Sequence, residues 1–111
     1  MTFENIMDKV LAFRQDRIWE QFHNPKDLAI SINLEAAELL ELFQWSGADL
    51  EVSKNHATMA EEIADIIIYC IYFADSIDVD IIEAINNKID INKHKYPVEK
   101  SRGNSKKYTE L

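Results

Sequence analysis

The chain has 111 residues, a formal net charge of −8 at pH 7 and a hydrophobic content of 47%. This length fits a single domain over residues 1–111, with a core so small that a second subunit would help to stabilise it. Bulk acidity argues against a broad nucleic-acid surface, which would be basic, so no nucleic-acid polymer is expected as a partner. The longest apolar run, residues 66–74, is much shorter than a bilayer span, so no membrane association is expected.

The usage of Gly, Pro and Cys narrows the class of protein further. With two glycines and two prolines, the chain is expected to form long uninterrupted helices. Its one cysteine, Cys70, cannot form an internal disulfide, which indicates a reducing compartment. The N-terminal segment lacks the basic and apolar regions of a secretory signal. Together these features predict an all-α cytoplasmic protein.

Four helices are predicted, and the first two meet at a strong boundary signal. A helical stripe of apolar residues predicts the first helix over residues 3–22. Asn24 then provides a favourable N-cap and Pro25 suits the first helical position, so the second helix is expected over residues 25–45. Gly47 supports an end at that point, because Gly is common just beyond a helix C-terminus.

The third and fourth helices follow a polar connection. Residues 49–55 are polar and have room for a short helical turn. The third helix is predicted over residues 57–77; it is apolar on nearly all sides and should therefore be central. Asp80 can cap the fourth helix over residues 81–95, which stops before Pro97.

The end of the chain differs in charge from the rest. Residues 88–111 hold seven of the twelve Lys and Arg residues but three of the twenty acids. A basic tail on an acidic body suggests a local contact with an anion, and the alternative is a tail that is simply solvated. Within this segment, residues 98–111 are expected to be an extended or mobile tail.

Two pairs of acidic residues stand inside the helical patterns: Glu35 with Glu38 in the second helix, and Glu62 with Asp65 in the third. A step of three residues places both members of a pair on one helix face, about one turn apart. Carboxylates are uncommon among apolar residues unless something compensates their charge. Because their connection is short, the two helices should form an antiparallel hairpin whose acidic pairs face each other. The sequence therefore predicts a cage of four carboxylates that binds Mg²⁺ and handles phosphate.

Other interpretations of the acids stay open. Simple exposure is a weak explanation for Asp65, which directly precedes three isoleucines. Glu41 lies one further turn beyond Glu38 and could orient an attacking water or join a second metal, although a solvated carboxylate is the commoner explanation there. A di-iron bundle would need two Glu-x-x-His units, and only the step from Glu20 to His23 fits.

Longer stretches carry a resemblance to a known family. They are W-E-Q-F-H-N-P at 19–25, E-L-F-Q-W at 41–45, D-I-I-I-Y at 65–69, N-K-H-K-Y-P-V at 92–98 and S-R-G at 101–103. Together with the two acidic pairs, they resemble the all-α nucleotide pyrophosphohydrolases of MazG type, in the dCTP pyrophosphatase branch. The resemblance covers nearly the whole chain. It implies a four-helix fold and hydrolysis of a (deoxy)nucleoside triphosphate to the monophosphate and pyrophosphate.

The resemblance also implies a cofactor and an assembly. The expected cofactor is Mg²⁺, with Mn²⁺ as the alternative ion. Two subunits are expected to build each site within a homo-oligomer, either a dimer or a tetramer made of two dimers. The preference for a cytosine base rests on the resemblance alone.

The residue types suit this reaction. Water must attack the α-phosphorus while charge builds on phosphate oxygens, so positioning and charge neutralisation are the main tasks. A metal on the acidic cage would bind the triphosphate oxygens, and without it the cage would repel the substrate. The expected catalytic residues are the four acids of the cage and a fifth acid one turn further along: Glu35, Glu38, Glu62, Asp65 and Glu41.

The expected substrate-binding residues lie in three groups. Trp19, Trp45 and Tyr69 carry flat rings with a polar atom, suited to stacking on a nucleobase, although such residues are more often core. By resemblance, His23 and Asn92 hydrogen-bond sugar or base edges. The candidates for the phosphates are basic residues near the end of the chain: Lys88, Lys93, Lys95, Arg102, Lys106 and Lys107. Among those of the tail, Arg102 is favoured because a guanidinium binds phosphate bidentately.

One function of another class stays open. The chain could be a non-catalytic helical oligomer whose acids bind a structural cation or a protein partner. The presence of all four acids together with the aromatic residues favours the enzyme, because a degenerate relative would be expected to have lost one of them.

Overall fold

The structure is a computed structural model that describes residues 1–111, and every regular element in it is a helix. The chain divides into two compact units, Met1–Asp78 and Val79–Leu111. The prediction of an all-α fold is confirmed. None of the helices combines the length and the apolar character that crossing a bilayer requires. The α-helices are α1 (Phe3–Asp16), α2 (Pro25–Glu41), α3 (His56–Ser76), α4 (Ile81–Lys95) and α5 (Val98–Ser101).

The predicted first helix is interrupted. Helix α1 ends at Asp16, Ile18 takes a left-handed conformation with φ of 54°, and a separate 3₁₀ helix covers Trp19–Phe22. The prediction of one helix over residues 3–22 is therefore wrong. In a straight helix, residues six apart lie about 9 Å apart along the axis and on different faces. The break instead brings Trp19 back to Phe13 and Glu20 back to Arg14, two pairs of residues that are each six apart.

Helix α2 begins as predicted and ends early. The Asn24 side chain accepts a hydrogen bond from the Asp27 N–H at 2.9 Å, which confirms the N-cap. The helix stops at Glu41 rather than at Trp45. Residues 42–46 continue as tight turns with bonds to the third residue back, such as the Phe43 N–H to the Leu40 carbonyl at 2.9 Å. The predicted end of this helix was four residues too late because such turns keep a helix-like apolar spacing.

Helices α2 and α3 form the main packing interface of the first unit. Helix α3 matches its prediction within one residue at each end, and the segment before it contains the expected turn, a 3₁₀ helix over Ser53–Asn55. The buried apolar residues come from α2, from the connection and from α3: Leu28, Val52, Ile71, Tyr72 and Ala74. Helix α3 is not covered on every side, because Ile63 is 46% exposed and Ile67 is 42% exposed.

The second unit contains α4 and the tail. Helix α4 has the predicted bounds, and the Asp80 carboxylate accepts hydrogen bonds from the N–H groups of Ile82 and Glu83 at 3.0 and 3.1 Å. The tail is not simply extended, since it forms α5 and a 3₁₀ helix over Tyr108–Glu110. The Tyr108 ring meets the Tyr96 ring edge-on, with 6.0 Å between the centroids. The expectation of an extended tail is therefore wrong for these two short helices.

Candidate active site

The register of the α2–α3 hairpin brings the two acidic pairs together. Glu35 lies six residues before the last residue of α2, and Glu62 lies six residues after the first residue of α3. Equal distances from the connection are the register of an antiparallel helical hairpin. The two pairs therefore meet across the interface of the two helices, as their spacing predicts.

Three of the four acids form a close cluster. Glu35, Glu62 and Asp65 can each offer a carboxylate oxygen such that all three atoms lie within 4.8 Å of one another. Glu35 and Glu62 are half-buried and Asp65 is exposed. We refer to Glu35, Glu62 and Asp65 as the acidic cluster. The fourth acid, Glu38, is exposed and lies outside this mutual distance but close enough to interact with both glutamates.

Burial and mutual repulsion disfavour the charged form of the two glutamates. Partial burial raises the pKa of Glu35, and the nearby carboxylates of Glu38, Asp65 and Glu62 raise it further. The pKa of Glu62 is raised by the same two effects, with Glu38 the leading neighbour. Like charges held this close are unfavourable unless a cation compensates them.

The unpaired oxygens fit a divalent cation. The Oε2 atoms of Glu35 and Glu62 are buried, and neither has a hydrogen-bond partner. A buried carboxylate oxygen without a partner is costly, and a metal ion would satisfy it. Carboxylate oxygens are the ligands that hard cations such as Mg²⁺ prefer. The donor set of the acidic cluster therefore fits such an ion. Glu41, the last residue of α2, is exposed.

An apolar cleft of about 440 Å³ adjoins the acidic cluster. We refer to it as the aromatic cleft. It lies between α1, the 3₁₀ helix Trp19–Phe22 and α3, and Asp65 belongs to both the cleft and the cluster. Its lining residues are Ile6, Lys9, Val10, Phe13, Trp19, Asp65, Ile68, Tyr69 and Tyr72.

The aromatic cleft brings together two of the three predicted stacking residues. Trp19 and Tyr69 both line it, and Phe13 meets Trp19 edge-on with 5.7 Å between ring centroids. Trp45 lies in the turn after α2, outside the cleft, and is 89% exposed. A single chain therefore does not assemble the predicted pocket of Trp19, Trp45 and Tyr69.

His23 sits beside the aromatic cleft. Its ring centroid lies 5.0 Å from that of Tyr72 and 6.4 Å from that of Trp19. Its Nδ1 atom is buried without a hydrogen-bond partner. Burial lowers the pKa of His23, the Arg14 cation lowers it further, and the Glu20 carboxylate acts in the opposite direction. The lowered pKa favours the neutral ring, in which one nitrogen donates a hydrogen bond and the other accepts one.

The remaining predicted contacts belong to the second unit. Lys88, Asn92 and Lys95 are spaced so that they share one face of α4. Lys93 lies 3.9 Å from Asp90, and Arg102, just after α5, is exposed. The Lys95 ammonium lies 4.7 Å from the centroid of the Tyr108 ring. Contact of these residues with a phosphate stays a prediction.

Comparison with known proteins decides the family. A model of the MazG-like family matches residues 30–111, which contain both acidic pairs. The chain belongs to the MazG-like family. This confirms the resemblance drawn from its motifs.

The named relatives of this MazG-like protein are all described as pyrophosphatases. The chain is 39% identical to dCTP pyrophosphatase 1 of Mus musculus over 115 aligned residues, covering 99% of this chain and 68% of that protein. Against dCTP pyrophosphatase 1 of Homo sapiens the identity is 38% with the same coverage. The crystal structure of a pyrophosphatase from Archaeoglobus fulgidus has a TM-score of 0.76 and 42% identity, over 85% of this chain and 91% of that one.

Several residues of the MazG-like site had no predicted role. Phe13, Lys9 and Tyr72 line the aromatic cleft, and the Arg14 guanidinium lies over the Tyr72 ring. The apolar spacing of α1 shows that Phe13 is on a buried face but does not show which element covers it. The one signal in the sequence was Arg14 itself, a charged residue directly beside the apolar stripe of the first helix.

Proposed function

We propose that this protein hydrolyses deoxynucleoside triphosphates, with dCTP the preferred substrate, to the monophosphate and pyrophosphate. The observation that carries the proposal is the position of Asp65, which belongs to both the acidic cluster and the aromatic cleft. A metal-bound triphosphate and a stacked base can then be held side by side. The assignment as a nucleoside triphosphate pyrophosphohydrolase agrees with the curated relatives and with the archaeal pyrophosphatase.

The proposed metal ligands are Glu35, Glu38, Glu62 and Asp65, with Mg²⁺ as the ion and Mn²⁺ as a substitute. When bound, the ion would neutralise triphosphate oxygens and polarise the α-phosphorus. Glu35 and Glu62 support this role through their unpaired buried oxygens. Glu38 interacts with both and would complete the set after a small side-chain rotation.

The chain's own side chains would place the other reactants. Glu41, one turn beyond Glu38, would orient the attacking water in line with the leaving pyrophosphate. Trp19 and Tyr69 would hold the base by stacking inside the aromatic cleft. His23 would hydrogen-bond a sugar or base edge through a ring nitrogen, since its Nδ1 has no partner within the chain.

A second subunit would complete the site. Trp45, at 89% exposure, and Leu40, at 70%, leave the end of α2 without a covering surface. The half-exposed Ile63 and Ile67 leave one side of α3 open in the same way. Large apolar surfaces of this kind mark contacts with another chain. A homodimer, or a tetramer of two dimers, would cover them and bring Trp45 of the partner subunit to the base.

The residues of the second unit would act on the phosphates. Lys88, Lys93 and Lys95 would supply positive charge, Asn92 a hydrogen bond and Arg102 a bidentate contact. We propose that residues 1–111 work as one MazG-like domain in which residues 98–111 form a basic tail. The cytoplasm is the proposed compartment.

A substrate screen tests the proposal. Purified protein is incubated with each of the eight common nucleoside and deoxynucleoside triphosphates in Mg²⁺, and pyrophosphate release is measured. We expect the fastest release from dCTP, and none in EDTA. Asp65→Asn protein, prepared in parallel, controls for a contaminating hydrolase. Binding of a divalent cation without turnover of any nucleotide would instead support the non-catalytic helical oligomer.

A further inference from the structure

Arg14 is the one charged residue in the buried set of this chain, at 7% exposure. It is neither part of the acidic cluster nor a lining residue of the aromatic cleft. Burying a guanidinium costs a large desolvation free energy, and an apolar residue of similar volume can be equally stable in its place. A buried arginine therefore calls for an explanation other than stability.

The contacts of Arg14 join three separate elements. From α1, its Nη2 atom donates a hydrogen bond to the Asp75 carboxylate on α3. Its Nε atom lies 3.5 Å from the Glu20 carboxylate on the 3₁₀ helix Trp19–Phe22. Its Cζ atom lies 5.2 Å from the centroid of the Tyr72 ring. One side chain thus holds the 3₁₀ helix and α3 to α1.

Two of these contacts, those with Tyr72 and Glu20, lead directly to the predicted nucleotide site. Tyr72 lines the aromatic cleft, and its ring meets Tyr69 edge-on at 5.9 Å and His23 at 5.0 Å. Glu20 is the next residue after Trp19, so its pairing with Arg14 fixes the start of the 3₁₀ helix. Arg14 therefore touches one ring of the cleft wall directly and two further rings through Tyr72.

The backbone conformation before the 3₁₀ helix indicates that tertiary contacts, rather than local preference, hold this helix in place. Ile18, just before the 3₁₀ helix, has φ of 54°, a conformation that is strained for a β-branched residue. Such strain persists where surrounding contacts determine the conformation. Ile18 is the N-cap residue of this 3₁₀ helix, and its side chain makes no capping hydrogen bond. Among the contacts that return the chain toward α1 are those of Glu20 with Arg14 and of Trp19 with Phe13. The Arg17 guanidinium adds to them, at 3.6 Å from the centroid of the Phe13 ring.

Arg14 is poorly suited to bind the substrate itself. It is buried, and its two carboxylate partners already compensate its charge. A triphosphate would therefore be attracted less strongly than by an unpaired guanidinium. Arg14 would therefore affect a bound ligand only indirectly, through the positions of Glu20, Asp75 and Tyr72.

We propose that Arg14 is a positioning residue that sets the shape of the aromatic cleft and thereby its discrimination among nucleobases. Through Glu20 and Asp75 it fixes the 3₁₀ helix against α3, and through Tyr72 it fixes the rings of His23 and Tyr69. The kinetic consequence rests on the proposed function. The geometric consequence, a fixed arrangement of rings, does not depend on it.

Arg14→Met tests the proposal, because Met keeps the apolar volume and removes both ion pairs. The KM for the best nucleotide should rise by about 10- to 100-fold, the effect of misplacing binding groups, while kcat changes less than about two-fold. The ratio of kcat/KM between the best and the second-best nucleotide should fall. Arg14→Lys, which can pair with one carboxylate but not span two, should be intermediate. Lys26→Met, an exposed charge deletion on α2, should leave all these values unchanged.

NMR of the His23 and Tyr72 ring protons tests the geometry without any turnover. Arg14 and Glu20 are the charged groups that act on His23, so Arg14→Met should raise the pKa of this histidine. Glu20→Gln should lower that pKa, because the group that it removes favours the charged ring. In both variants the contacts between the His23 and Tyr72 rings should weaken. If Arg14→Met fails to fold, Glu20→Gln supplies both the kinetic and the NMR result.

Two results would overturn the proposal. The first is unchanged KM and unchanged discrimination in folded Arg14→Met, or in Glu20→Gln if Arg14→Met does not fold. The second is a loss of kcat with KM unchanged, which would give Arg14 a role at the reacting atoms. If wild-type protein hydrolyses no nucleotide, the proposed function fails, and the NMR contacts between the His23 and Tyr72 rings alone test the positioning role. Contacts that persist in Arg14→Met contradict that role. Contacts that are lost in Arg14→Met support it.

Discussion

The acidic cluster and the aromatic cleft share Asp65 but are held in place differently. The acids stand on two regular helices, so helix geometry and the register of the hairpin fix their positions. The cleft depends on an interrupted helix, a left-handed Ile18 and ring contacts between three elements. We therefore expect metal binding to be less sensitive than base selection to the loss of tertiary contacts around α1 and the 3₁₀ helix.

Changes to the proposed metal ligands should have the largest effect. Glu38→Gln and Asp65→Asn each remove one charged group from the proposed metal site. We expect kcat to fall by at least about 100-fold, as when a charge-stabilising group is removed from an active site. Thermal stability should be unchanged or raised, because crowded like charges are relieved. Steady-state pyrophosphate release at saturating Mg²⁺ and a thermal melt measure the two effects.

Glu61→Gln is the matched control for these variants. Glu61 lies on α3 next to Glu62 and is exposed, so the variant removes the same charge from the same helix. It should keep nearly full activity. Full activity in Glu38→Gln or Asp65→Asn as well would refute the metal assignment.

A change to the aromatic cleft should act on substrate binding. Trp19→Ala removes a stacking ring, and base stacking contributes about 1–3 kcal/mol, so kcat/KM should fall by about 5- to 150-fold, chiefly through KM. Kinetics with dCTP measure this. Phe22→Ala is the matched control, because Phe22 lies on the same 3₁₀ helix, is exposed and does not line the cleft. Equal losses in the two variants would show that general unfolding of this helix is responsible.

Subunit mixing should show whether Trp45 belongs to a partner's site. Trp45→Ala and Asp65→Asn proteins are each impaired for a different reason. If a site combines Asp65 of one subunit with Trp45 of its partner, exchange at equal amounts should restore wild-type sites to about one quarter of the total. The assay uses dCTP below the wild-type KM. No gain over the unmixed proteins, despite exchange seen by native mass spectrometry, would place both residues in one subunit or exclude Trp45.

Deletion of residues 101–111 should have the smallest effect. If the tail closes over the phosphates, KM should rise or kcat should fall by a few-fold, with little change in melting temperature. Tyr108 packs on Tyr96 and Lys95 within the second unit, so the deletion also frees Lys95. Hydrogen exchange with and without a slow substrate analogue should show protection of the tail by the nucleotide. Unchanged KM and kcat in the truncated protein would show that the tail is solvated and does not contact the nucleotide.

The sequence predicted the regular parts of the molecule well. Helix α4 and both ends of α3 followed from apolar spacing and capping residues, and the acidic cluster followed from the helices that carry it. These features depend on interactions between residues three or four apart, which a single sequence records. The MazG resemblance added the reaction class, which spacing could not provide.

The irregular parts could not be predicted. Helix α1 ends where Arg14 pairs with Glu20 and Phe13 meets Trp19, and a continuous apolar stripe gives no sign of these contacts. The tight turns after Glu41 keep helical spacing, which extended the predicted α2 too far. Trp45 was assigned to the same base pocket as Trp19 because both are tryptophans. Residue type gives no information about the distance between the two side chains in the fold.

Hydrolysis in water enriched in oxygen-18 tests the central claim most directly. The best nucleotide of the screen is turned over once in Mg²⁺, and phosphorus NMR locates the label. Attack on the α-phosphorus, with the triphosphate at the acidic cluster and the base in the aromatic cleft, predicts label in the monophosphate and none in pyrophosphate. Label in pyrophosphate, or a diphosphate and orthophosphate as the products, would contradict the account.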